Sequence, residues 1–212
     1  MRPGERGADP VCVVPHVVID PARDGPLRLH DGQYAFQAPP PPGLDAPGQL
    51  AFVERYLISR TDPFSKAQGL LIERYFAHLR ARIEDARIAL CDRLGPLRSV
   101  FDYRAFAFAA PRPLPRAYLA LPGEGFLRLD CAFWMGRHAL AIEVVAGDTP
   151  SLARTAQLAR LRAAGTAICW IDPRTPCEAE LAALFPCLWD GVALPSGPFK
   201  ARGIEAFAAL PG

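Results

Sequence analysis

The chain has 212 residues, 24 Lys plus Arg against 22 Asp plus Glu, a formal net charge of +2, and hydrophobic residues at 50% of positions. That length suits one domain with an appendage and can bury a full core, while the near-balance of charge excludes a whole-molecule field drawing it to nucleic acid. With no apolar leader in MRPGERGADP and no run approaching eighteen apolar residues, the sequence predicts a soluble cytoplasmic protein without a membrane partner.

Residues 1–47 read as a small β appendage: VCVVPHVVI, then PLRLHDGQYAFQ, in which Asp31-Gly32 between alternating runs signals a hairpin. The Pro-rich stretch from Ala38 to Pro47 is a stiff connector. His16 and His30 are expected to be structural or exposed. From residue 48 to 212 the pattern is that of one α/β domain.

Gln49–Ser59 reads as a first helix. Thr61-Asp62-Pro63 signals the start of a second, with Pro63 in its first turn. On that helix Ile72, Phe76, Leu79, Ile83, Ala86 and Leu90 form one core stripe, stopped by Gly95-Pro96. Glu73 falls on the shoulder of the stripe beside Arg80, Glu84 and Arg87, where it either reaches a site beside a sheet or joins a solvated ladder of charges. His78 falls on the other side.

SVFDYRAFAFAA, Ser99–Ala110, reads as a first strand. PRPLPRAYLALPGEG is a loop whose prolines exclude a central strand, and its Arg112 and Arg116, near Tyr118, are candidate phosphate contacts or solvated arginines.

Two apolar stretches follow, FLRLDCAFWMG and HALAIEVVAG, turning at Gly136-Arg137. Alternation sends Leu127, Leu129, Cys131 and Phe133 to one face and Arg128, Asp130, Ala132 and Trp134 to the other. In the second stretch Leu140, Ile142 and Val144 oppose Ala141, Glu143 and Val145. If the apolar rows share a core, Asp130 and Glu143 share the opposite face. A carboxylate among apolar neighbours needs a compensating partner, and two that converge most simply share a hard divalent cation such as Mg²⁺. The other reading is a wet face with the acids hydrated or paired to Arg128 and Arg137.

A helix over 150–164, capped by Asp148 or Thr149 with Pro150 at its start, leads to the strand Thr166–Ile171, expected to lie parallel to the Glu143 strand. A short helix at Cys177–Leu184 and a last one at Gly203–Leu210 close the chain, with Trp189 and Phe199 covering the sheet. The six cysteines make no CxxC pair and no zinc spacing, and they read as small buried hydrophobes.

The order helix with Glu73, strand with Asp130, strand with Glu143, helix, strand resembles the PD-(D/E)XK nuclease superfamily, in particular its small very-short-patch-repair-like bacterial members. The resemblance covers roughly residues 64–172. It implies a restriction-endonuclease-like mixed sheet flanked by helices, with Asp130 and Glu143 as ligands of Mg²⁺ or Mn²⁺ and Glu73 assisting. It implies phosphodiester hydrolysis in nucleic acid, DNA being the expected polymer, with a protein partner as a possible source of specificity.

The motif lysine is replaced by Val145, which can neither orient water nor stabilise charge on a phosphate. The basic residue has then moved to another element, the metal works without it, or the site is inactive and the fold is kept as a nucleic-acid- or protein-binding module. The only lysines are Lys66 and Lys200, so 22 of the 24 basic residues are arginine, a bidentate phosphate ligand, although Arg, Ala and Pro richness also follows from genomic base composition. Arg154 and Gln157 on the next helix are nearest in chain order, and Gln157 is either a water- or phosphate-positioning residue or an ordinary exposed helix residue.

Overall fold

The computed structural model describes residues 18–19, 41–121, 125–134, 139–145, 151–163 and 166–186. The expected hairpin at Asp31-Gly32, the Gly136-Arg137 turn, the cap at Asp148 or Thr149 with Pro150, Trp189, Phe199 and the helix at 203–210 lie outside these residues.

Helix α1, Ala46–Ile58, starts where the Asp45 side chain accepts a hydrogen bond from the Gly48 N–H, and it buries Leu50, Val53 and Leu57 at three- and four-residue steps. Helix α2, Lys66–Asp85, begins later than its start signal suggested, because Asp62 spends its side chain on the Phe64 N–H in a turn. Its buried face holds the expected Ile72, Phe76, Leu79 and Ile83 and is widened by Gln68, Leu71, Tyr75 and His78. The stripe is not one helix: α2 ends at Ala86, where ψ is 6°, and a separate α3, Arg87–Leu94, runs to Gly95 at φ +52°.

The first strand expected at Ser99–Ala110 is absent. In its place, 3-10 turns span Gly95–Ser99 and Tyr103–Ala109. The Asp102 side chain accepts from the Arg104 N–H and starts the second turn, and Ala105, Phe106, Ala107 and Phe108 are buried consecutively, so no side alternates with solvent.

Among the described residues, seven strands make two sheets: β1 (Val18–Ile19), β3 (Tyr118–Leu121) and β4 (Gly125–Arg128) in one, and β2 (Pro113–Pro115), β5 (Cys131–Trp134), β6 (Ala139–Val144) and β7 (Ala167–Ile171) in the other. The second is mixed: β2, β5 and β6 pair antiparallel and β6 pairs parallel with β7. The crossover between β6 and β7 is α4, Leu152–Ala163, as the strand-helix-strand pattern predicted. The segment expected to be a loop supplies β2 and β3, and its prolines are tolerated because β2 lies at an edge of its sheet among the described residues.

Two apolar layers sandwich the four-stranded sheet. One side carries Cys131, Phe133, Leu140, Ile142 and Val144 against α1, α2 and the 3-10 turns, with Tyr75, Phe133 and Phe185 in ring contact. The other side carries Ala132 and Ala141 under Leu158 and Leu161 of α4, with Leu127 and Leu129. Helix α5, Glu178–Leu184, adds Leu181 to the first layer. The domain is thus α/β, with a mixed four-stranded sheet covered by helices on both faces.

Candidate functional site

The pairing of 113–121 with 125–134 runs in one register through both sheets: Tyr118 faces Arg128 in the first, and Pro115 faces Cys131 in the second. The same register sets Arg116 opposite Asp130, and the Arg116 N–H donates to the Asp130 carbonyl at 3.0 Å. Here the ribbon bends, with Arg116 held at φ +54°, a left-handed conformation unusual for a residue with a side chain.

The bend corrects the expected faces. Leu127 and Leu129 pack with Ala132 under α4, whereas Cys131 and Phe133 pack in the opposite layer, so the four do not share one side. The acid-bearing side is not a wet face either, since α4 covers it.

Pairing of Cys131 with Ile142 continues outward to place Asp130 opposite Glu143. Their contacts are direct. The Val144 N–H donates to Asp130 Oδ2 at 2.9 Å, and the Asp130 N–H lies 3.4 Å from Glu143 Oε1. The structure therefore brings together the two carboxylates singled out by the alternation.

Their partners come from two helices. From α2, Gln68 Nε2 donates to Asp130 Oδ1 at 2.7 Å, while Gln68 Oε1 accepts from the Asp62 N–H at 2.9 Å. From α4, Arg154 places Nε and Nη2 at 2.9 and 2.5 Å from Glu143 Oε2. The Ser151 hydroxyl accepts from the Arg154 N–H and so caps the turn that carries this arginine.

Glu73 is not part of this cluster. Five residues beyond Gln68, it is turned about 140° around the helix, and it lines an exposed groove between α1 and α2 with Glu54, Arg55, Arg74 and Arg80. Gln157 is half-buried on α4, on the flank of the row Arg154, Leu158 and Leu161 that faces the sheet, and Arg154 rather than Gln157 makes the contact with Glu143. Lys66 is exposed, about 200° around α2 from Gln68. Val145 uses its N–H to bond the Ile171 carbonyl at 2.9 Å. Arg128 pairs with Asp62 at 3.6 Å and not with either acid of the pair.

Glu143 is 3% exposed, and burial raises its carboxyl above the ordinary 4.5, opposed chiefly by the hydrogen bonds from Arg154. The ion pair is thus the main force keeping a buried carboxylate charged.

As a magnesium site the donor set is partly suitable. Two hard carboxylates facing one another match an ion that keeps several waters and takes one or two protein acids plus substrate phosphate. Among the described residues no group of three or more His, Cys, Asp or Glu gathers. Gln68 presents its nitrogen to the site, because the Asp62 N–H occupies its oxygen, so it is no ligand in this orientation. Withdrawal of Arg154 would free Glu143 Oε2, while Gln68 and the Val144 N–H still occupy the Asp130 oxygens.

Sequence reasoning missed Gln68. The signal was present: with Leu71, Ile72 and Tyr75 it lies at zero, three, four and seven residues along the apolar row, a polar residue in a core position. Compared with protein-family models, curated proteins and solved structures, the chain matches none.

Proposed function

We propose that the chain is a nuclease-like protein, of restriction-endonuclease-like fold, that engages nucleic-acid phosphodiesters at Asp130 and Glu143. The observation supporting this reading is the meeting of a carboxylate at the bend just before β5 and one on β6 with a basic side chain from the helix that follows, close to the order of elements that prompted the resemblance. Arg154 then takes the place of the lysine lost at Val145, and Gln68 takes the place of an acid on the first helix.

Asp130 and Glu143 are the residues that would hold a divalent ion, which would supply a Lewis acid and an activated water. Arg154 offers hydrogen-bond donors and no acceptor, so it is no base. Its task is electrostatic: it exchanges Glu143 for a phosphate oxygen, gripping the phosphodiester as a fork and releasing the carboxylate. DNA is the polymer proposed. The small net charge suits a component of a larger assembly in which a protein partner supplies specificity.

Purified protein should cleave DNA with Mn²⁺ or Mg²⁺, and Asp130→Ala should reduce cleavage to background. Intact single- and double-stranded DNA and RNA after incubation with either ion would reject catalysis. A second reading, a non-catalytic module, is favoured by one specific feature: each of the four carboxylate oxygens already has a protein donor nearby. It expects nucleic-acid binding without turnover and little change in binding when Asp130 and Glu143 become Asn and Gln.

A further inference from the structure

Only two exposed large hydrophobics among the described residues are aromatic, and both belong to segments framing the carboxylates. Trp170, 39% exposed, is the β7 partner of Glu143 in the parallel register. Ile168, two residues earlier, packs in the layer under α4, so Trp170 faces that same side and stands beside Glu143 as Arg154 does. Phe64, 97% exposed, sits on the turn that fixes Gln68: its N–H bonds Asp62 Oδ1, and the Asp62 N–H bonds Gln68 Oε1.

Three arginines belong to the same segments. Arg154 lies on Glu143, Arg128 pairs with Asp62 at 3.6 Å, and Arg116 is opposite Asp130. Arg116 has a solvent-shielded Nε with no hydrogen-bond partner, on a backbone held at φ +54°. Strain and an unsatisfied donor at one residue mark a place where structure serves a ligand before stability.

Exposed rings and arginines on segments that flank one site are what unpaired bases and their phosphates require: stacking tolerates any base, and the guanidinium forks take the backbone. A duplex keeps its base faces stacked internally and offers nothing to Phe64 or Trp170. From this we infer that the substrate class at this site is single-stranded nucleic acid, with bases stacked on Trp170 and Phe64 and phosphates gripped by Arg116, Arg128 and Arg154. The inference rests on the phosphodiester reading above and narrows it.

The test is fluorescence anisotropy of the full chain with a labelled oligothymidylate of about 12 nucleotides and with a blunt duplex of equal length. The single strand should bind roughly tenfold or more tightly than the duplex, and Phe64→Ala and Trp170→Leu should each weaken it by about tenfold. Because Phe64 is almost wholly solvent-exposed, its loss leaves the fold intact, and a matched urea midpoint verifies this. Equal affinity for both forms, or affinity unchanged in the two variants, would overturn the single-strand assignment while leaving phosphodiester binding in place. Binding of neither form would overturn both readings and leave the rings to a protein surface.

Discussion

Arg154 and Glu143 show how much a single contact decides at residue scale. The Glu143 side chain is buried, and burial alone pushes it toward the neutral form. A carboxyl whose folded value lies above 4.5 favours folding while protonated, and that advantage is lost as pH rises from 4.5 through the raised value. Arg154 offsets the loss. Arg154→Ala should therefore cost about 3 kcal/mol at pH 8, where it strands a buried charge, and distinctly less at pH 4. Urea unfolding at the two pH values checks this, and an equal loss at both would show that the arginine acts by packing alone. Gln68→Glu places a second carboxylate against Asp130 and removes a donor, at a cost of about 2 kcal/mol. Added Mn²⁺ should recover part of that stability, which a thermal shift with and without the ion measures.

At the scale of elements, the bend at Arg116 and Asp130 organises the site. It rotates one ribbon from the first sheet into the second and turns Asp130 toward Glu143, a use of irregular strand geometry common beside functional sites. Since φ is +54° at Arg116, Arg116→Gly should leave stability within about 1 kcal/mol, whereas Arg116→Val should cost about 2 kcal/mol more, because a β-branched residue resists that conformation. Chemical denaturation of the pair is the check. Alternation in CAFW and ALAIEV was enough to pair β5 with β6 and to set Asp130 against Glu143, and the strand-helix-strand pattern gave the parallel β7. The bend was not legible, because period-2 reasoning has no means of seeing a residue forced into the left-handed region. The 3-10 turn at Tyr103–Ala109 was misread as a strand because a short, evenly apolar run carries no period. Glu73 follows from the resemblance and from its place on the shoulder of the stripe, and Gln157 from its nearness in chain order, yet the residues that reach the acids, Gln68 and Arg154, are the polar intruders in the apolar rows of α2 and α4. A polar side chain kept in a core row must have a buried partner, and that was the better guide.

For the whole molecule, the mixed sheet is covered on both faces, with α2 and its neighbours on one side and α4 on the other. The carboxylate pair lies where both layers reach it, Gln68 arriving from one and Arg154 from the other. With the site tied to both layers, changes in its charge should be read as changes in ion affinity. The central claim is that Arg154 is the resident counter-charge of a carboxylate pair able to take a divalent ion. It is tested most directly by titrating Mn²⁺ into the wild type, Arg154→Gln and Asp130→Asn and following the free ion by electron paramagnetic resonance, with folding verified by circular dichroism. Arg154→Gln should bind Mn²⁺ at least about tenfold more tightly than the wild type, as removal of one close positive charge implies, and Asp130→Asn should bind none. Equal Mn²⁺ affinity in all three proteins would contradict the account.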